Sequence, residues 1–159
     1  MQKIKDPVLL GIAAGLAGNL LKNLGNEIST ALGFSKTTYS EIAGGIYMNK
    51  KKTYTPLGKT IGYLADTAIG GALGVGLVYL LKTTGRDHAA IKGVGYSHIA
   101  WTVLLGGMNK LGLSSFKPID PETVLSSYIN HTLYGFSAAV VATIIGDKNL
   151  FSKEDIQFK

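Results

Sequence analysis

Apolar residues gather along this chain into four long runs, separated by charged or turn-forming stretches. A bilayer's hydrocarbon core takes about 20 mainly apolar residues per helix. Residues 7–32, 57–81, 89–111 and 121–145 meet that length. Pro7 suits a first helical turn, Pro56 precedes the second run, and Asp120-Pro121-Glu122 reads as a helix start. The stretches 69–81 (IGGALGVGLVYLL) and 138–145 (AAVVATII) carry no charge on any face. A surface helix of a soluble protein would show a broad polar face. A chain of 159 residues is too short to surround four helices that are apolar all round. The expected fold is all-α: a polytopic membrane protein of one domain, a bundle of four transmembrane helices with both termini on one side.

The connections are equally readable. Residues 34–55 form the longest and hold Lys50, Lys51 and Lys52. Its part 38–48 is expected to be a short interfacial helix, with Tyr39 and Tyr47 at headgroup level. Residues 82–88 (KTTGRDH) read as a short polar turn, and 113–120 as a link through Ser114, Ser115 and Pro118. The tail, 147–159, is polar and expected to fray. Residues 1–6 are too short for a charged region leading into a cleavable apolar one, so no removable targeting segment is expected.

Charged residues are 16% of the chain, against roughly 25% in an ordinary soluble domain. Mean hydropathy is only +0.22, because apolar runs average with polar loops, so the segment pattern decides. Cysteine is absent, which excludes disulfides, iron–sulfur clusters and thiolate zinc sites. The net charge of +6 sits on residues that flank the apolar runs, where it meets lipid headgroups rather than nucleic acid. Eight basic residues fall on the side of the termini and seven on the other, so charge counting does not orient the bundle. The short second loop, with Lys82, Arg86 and Lys92 in or beside it, tilts the expectation toward cytoplasmic termini.

Ionisable groups inside a bilayer are costly and are functional suspects by default. Asn19, Lys22, Asn23, Asn26, Glu27 and Thr30 recur at steps of three and four, which places them along one stripe of the first helix. Asp66 lies in the second run, His98 in the third and His131 in the fourth. At 1.5 Å per residue, Lys22 and Asp66 both lie roughly 15 Å from the same membrane face, which makes them natural partners. Such a pair can serve function, or can only hold helices in register. Each histidine alone reads first as a satisfied core residue. Glu27, Asp66, His98 and His131 are of metal-ligand type, but no H-x-x-x-H or E-x-x-H spacing supports a metal site, and no cofactor is called for. Gly11-x-x-x-Gly15, Gly58-x-x-x-Gly62 and Gly70-x-x-x-Gly74 are small-residue steps that let helices pack closely within a bundle, and between copies in a homo-oligomer. No nucleophile elbow, nucleotide loop or kinase signature appears, so an enzyme is not expected.

Gly11, Ala14 and Gly15 followed by Lys22 and Glu27, with His98 early in the third run and His131 early in the fourth, give the chain a resemblance. From Gly11 to about Gly146 it resembles a family of small bacterial inner-membrane proteins labelled YagU-like or YqhR-like. That resemblance implies a multi-span protein of the cytoplasmic membrane and no agreed activity. Three functions remain in play. The first is movement or gating of a small solute, ion or proton through a polar bundle core, with Asp66, His98 and His131 binding or relaying and Lys22 setting the charge. The second is a structural or accessory membrane protein. The third is a metal-dependent membrane enzyme.

Overall fold

A computed structural model describes residues 3–112 and 120–152. Its helices are α1 (Pro7–Ala31), α2 (Tyr39–Gly44), α3 (Lys50–Thr53), α4 (Pro56–Thr84), α5 (Ala89–Trp101), a π-helical turn (Thr102–Gly106), α6 (Gly107–Lys110), α7 (Pro121–Ile145) and a closing 3-10 turn (Lys148–Phe151). The chain is all-α, and α1, α4 and α7 are candidate membrane-spanning helices by length and composition. Each starts the same way. Asp6, Thr55 and Asp120 accept a hydrogen bond from the backbone N–H three residues on, and proline fills the first helical position.

Among the described residues three α-helices, not the expected four, are long and apolar enough to span a bilayer. The third apolar run does not form one α-helix of bilayer length. Its α-helix stops after Trp101, continues as the π turn, and ends in the single turn of α6. The interruption falls where Trp101 Nε1, on the last α-helical turn, donates to Ser127 Oγ of α7 at 2.9 Å; there Thr102 Oγ1 donates back to the His98 carbonyl at 2.9 Å, and Gly106-Gly107 follows.

Helices α1 and α4 run antiparallel and meet through glycine. A Cβ on Gly15 would strike the Gly70 carbonyl and the Gly74 Cα, and one on Gly11 would strike Val75. All four small residues of the two steps are therefore used inside the protomer. On α4 the buried positions Gly58, Gly62, Asp66, Gly70 and Gly74 recur every fourth residue, so Asp66 is the one side chain in a glycine stripe. Helix α7 packs antiparallel on α1, where Gly18 admits Tyr134 and Ala138, and on α5, where Gly93 faces Gly135. Without a hydrophobic drive between helices in lipid, such close approach is how a membrane bundle gains contact energy. The outward faces are apolar: Leu20, Ile28, Leu64 and Leu125 are each more than half exposed, a surface that calls for lipid.

The interior is divided along its axis. Leu10, Ala14, Leu77, Val78, Leu81, Ala138 and Ala142 form an apolar core in the half nearer the termini. The other half is polar. The termini are clasped at the apolar end: Ile4 N–H donates to the Ile145 carbonyl and Asp147 N–H to the Ile4 carbonyl, both at 2.9 Å. Phe151 is 5% exposed and joins the apolar core, so the tail does not fray from its start as expected. A single aromatic with apolar room beside it is enough to dock those residues. The link through Ser114, Ser115 and Pro118 and the last tail residues, 153–159, lie outside the described residues.

Between α1 and α4 the chain turns back into the bundle rather than lying at the interface. Helix α2 is held by a capping box, with Thr38 and Glu41 each satisfying the other's backbone N–H. It packs on α4, where Gly62 sits against the Ser40 carbonyl and Gly44 lies near Gly58. Tyr39 is therefore buried, against the expectation that it would sit at headgroup level, while Tyr47 is 68% exposed. Asn26 decides this: its Oδ1 accepts from the Tyr39 N–H at 2.8 Å and anchors the returning chain at the depth of the α1 polar stripe. Irregular backbone at such a depth is tolerated because protein surrounds it.

Candidate functional site

The polar half of the bundle is organised around Asp66. Lys22 Nζ donates to Asp66 Oδ1 at 2.6 Å, and both side chains are buried. Asn19 Nδ2 and Asn23 Nδ2 donate to the other carboxylate oxygen, Oδ2, at 3.0 and 2.8 Å. The steps 19, 22, 23 put three donors on one face of α1, and Gly70, one turn on from Asp66, lets that face come close, while Gly62 on the other side faces Ser40 of α2. A carboxylate with three donors is well compensated for its burial. Among the described residues Asn19 Oδ1 is buried without a partner, packed against the bare Cα of Gly70. Turning that amide over would aim its oxygen at Asp66, so the charge dictates the orientation.

Lys22 Nζ also lies 4.2 Å from the ring centre of Tyr39, a cation–π contact. Tyr39 continues the network, its hydroxyl lying 3.2 Å from Ser127 Oγ and 3.3 Å from the Ser127 carbonyl. Burial pushes its phenol above the ordinary tyrosine value, so the hydroxyl stays protonated and a donor. Ser127 Oγ accepts from Trp101 Nε1 at 2.9 Å, which ties α5 to α7. His131 Nδ1 lies 2.8 Å from the Ser127 carbonyl. A carbonyl only accepts, so the proton is assigned to Nδ1 and Nε2 keeps its lone pair. Tyr134, 1% exposed, donates its hydroxyl to the Gly70 carbonyl at 2.7 Å.

These groups border a cavity of about 90 Å³. Lys22, Asp66, Asn19, Tyr39, Ser127 and Tyr134 form its buried end. Ile42 and Ile46 on α2, Ile69 and Leu73 on α4, and Leu104 and Leu105 on the π turn form its half-buried end. Helices α4 and α5 touch lower down, where the Tyr96 hydroxyl rests against Gly76, and the cavity lies above that contact. Trp101, the only tryptophan of the chain, and His131 stand at its side.

Two candidates fall outside this site. Glu27 is exposed on α1, because a residue 100° on from Asn26 leaves the buried stripe at its edge. His98 lies on the α5–α7 seam, with Nε2 2.9 Å from Thr132 Oγ1 and its ring stacked on Tyr128 at 4.0 Å. Among the described residues no three histidine or carboxylate side chains come together as a metal-holding group, so Glu27, Asp66, His98 and His131 are not one cluster. The sequence reading missed Tyr39, Trp101, Ser127 and Tyr134 as site residues. Their one linear signal is a polar or aromatic side chain amid apolar neighbours, and many lipid-facing residues share it.

No family model matches the chain, and neither a curated protein nor a solved structure does.

Proposed function

We propose that the protein is a bacterial inner-membrane bundle that crosses the bilayer four times and binds a small solute beside Lys22 and Asp66, which it moves or gates. The cavity of about 90 Å³ adjoining a buried ion pair carries this reading. The fourth crossing is supported by parity. Helix α4 ends on the side where α1 begins, and α7 starts on the opposite side. The chain from Ala89 to Lys110 must travel between them, and its 22 helical residues are long enough to do so. The clasped termini share their side with Lys82, Arg86 and Lys92, which supports a cytoplasmic location for that side. The resemblance to the YagU-like and YqhR-like proteins is consistent with the location and adds no chemistry.

The chain lacks cysteine, so single thiols report cleanly. In liposomes, Ile69→Cys should react with a water-soluble methanethiosulfonate, while lipid-facing Leu64→Cys should not. Leu105→Phe, which fills the cavity, should slow the reaction at Ile69→Cys several-fold. A second reading, a purely structural cluster, is favoured by the complete pairing of both Asp66 oxygens. An unreactive Ile69→Cys would sustain that reading and overturn the first.

A further inference from the structure

The cavity also says what kind of solute suits it. Among the described residues its only charges are Lys22 and Asp66, which neutralise each other at 2.6 Å. An ion would have to shed its water and find about six oxygens. The Asp66 oxygens are taken by Lys22, Asn19 and Asn23, and Asn19 Oδ1 is sealed against Gly70. The rest of the wall is mostly carbon, with the polar atoms of Tyr39, Trp101, Ser127, His131 and Tyr134 at its buried end and side. A volume of about 90 Å³ holds about three waters, or a small head with a few methylenes. Apart from Trp101 and His131, the half-buried residues are isoleucine and leucine on α2, α4 and the π turn, so the opening is mainly apolar. Helix α4 is a candidate span, so an apolar opening beside it lies within reach of lipid chains.

Lys22 and His131 each keep one hydrogen-bonding valence at the polar end. An ammonium has three N–H bonds. Lys22 directs one to Asp66 and presents another to the Tyr39 ring, which leaves one. His131 uses Nδ1 on Ser127 and keeps the Nε2 lone pair. One group that both accepts and donates matches this pair, and a hydroxyl is the smallest.

We infer that the solute is an uncharged, hydroxyl-bearing amphiphile that enters from the bilayer, its hydroxyl between Lys22 and His131 and its hydrocarbon leaving past Leu73 and Leu105. This rests on the solute-binding reading above and narrows it to a lipid-soluble class. Trp101 stands beside the path and is the only tryptophan, so its fluorescence reads occupancy. The full chain in phosphatidylcholine nanodiscs would be titrated with 12-bromododecanol, 12-bromododecanoic acid and 12-bromododecyltrimethylammonium, whose bromine quenches indole on contact. The alcohol should quench saturably, with a half-saturation at least ten-fold below that of either charged probe. Leu73→Phe, or Ile46→Phe should that variant not fold, should abolish the saturable phase. His131→Phe should weaken the alcohol at least three-fold and leave the charged probes unchanged. Equal, non-saturable quenching by all three probes would overturn the inference, as would a preference for a charged head. Should the alcohol fail while Ile69→Cys still reacts with the aqueous reagent, only the amphiphile assignment falls. Failure of both removes the solute-binding reading as well.

Discussion

Lys22 Nζ and Asp66 Oδ1 lie 2.6 Å apart, joining α1 to α4 across a face otherwise lined by glycine on the α4 side. The two partners are not equally supported. Asp66 has two further donors in Asn19 and Asn23, whereas Lys22 has only the face of Tyr39 besides its carboxylate.

That inequality predicts an asymmetric cycle. Lys22→Met leaves Asp66 with two amide donors, and Asp66→Leu strands an ammonium. Breaking a buried pair costs about 3–5 kcal/mol, and Asp66→Leu should lie at the upper end. The double variant should recover part of the loss, because no lone charge remains. Unfolding in detergent measures all four proteins, and a coupling energy near zero would refute the pair's role in stability.

The glycines should sort by what a methyl would meet. Gly15→Ala drives a Cβ into the backbone of Gly70 and Gly74, which cannot swing aside. It should destabilise by about 1–3 kcal/mol, as overpacking does. Gly71→Ala meets nothing within 4 Å and should be neutral, or stabilising by up to about 1 kcal/mol through helix propensity. Equal melting temperatures for the two variants would contradict the α1–α4 packing.

Tyr134→Phe removes the 2.7 Å bond to the Gly70 carbonyl and nothing else of its packing. The loss should be about 0.5–1.5 kcal/mol. Trp101 emission should change little if Tyr134 mainly braces α4, and a large spectral shift would mean that it shapes the cavity instead.

Crossing number can be read with membrane-impermeant thiol labelling of single-Cys variants. Lys5, Arg86 and Lys148 should label from one side, Lys51 and Leu111 from the other. Labelling of Leu111 from the Lys5 side would mean that the run from Ala89 to Lys110 does not cross.

Much of this was legible in the linear pattern. The three spans, their proline-led starts, the polar stripe of α1 and the meeting of Lys22 with Asp66 at one depth all follow from helix periodicity and rise. Those quantities are set by the backbone, so residue spacing converts directly into angle and height. Glu27 shows the limit of that conversion. Its spacing fits the stripe, but only the position of the neighbouring helices decides where burial ends.

Four features were decided by tertiary structure alone. Tyr39 reads as an interfacial residue until Asn26 draws its backbone into the bundle. Phe151 reads as tail until a gap in the apolar core accepts it. His98 and His131 look alike in sequence, yet one stacks on Tyr128 at the seam and the other borders the cavity. The π turn that ends α5 sets Leu104 and Leu105 at the opening. The chain alone determined which residues prefer hydrocarbon and which helix faces are small or polar, because those are properties of each side chain and its spacing. Which polar residue finds which partner depends on how helices far apart in sequence settle against one another. That choice belongs to close packing, where a missing Cβ or a single amide alters the path of the backbone.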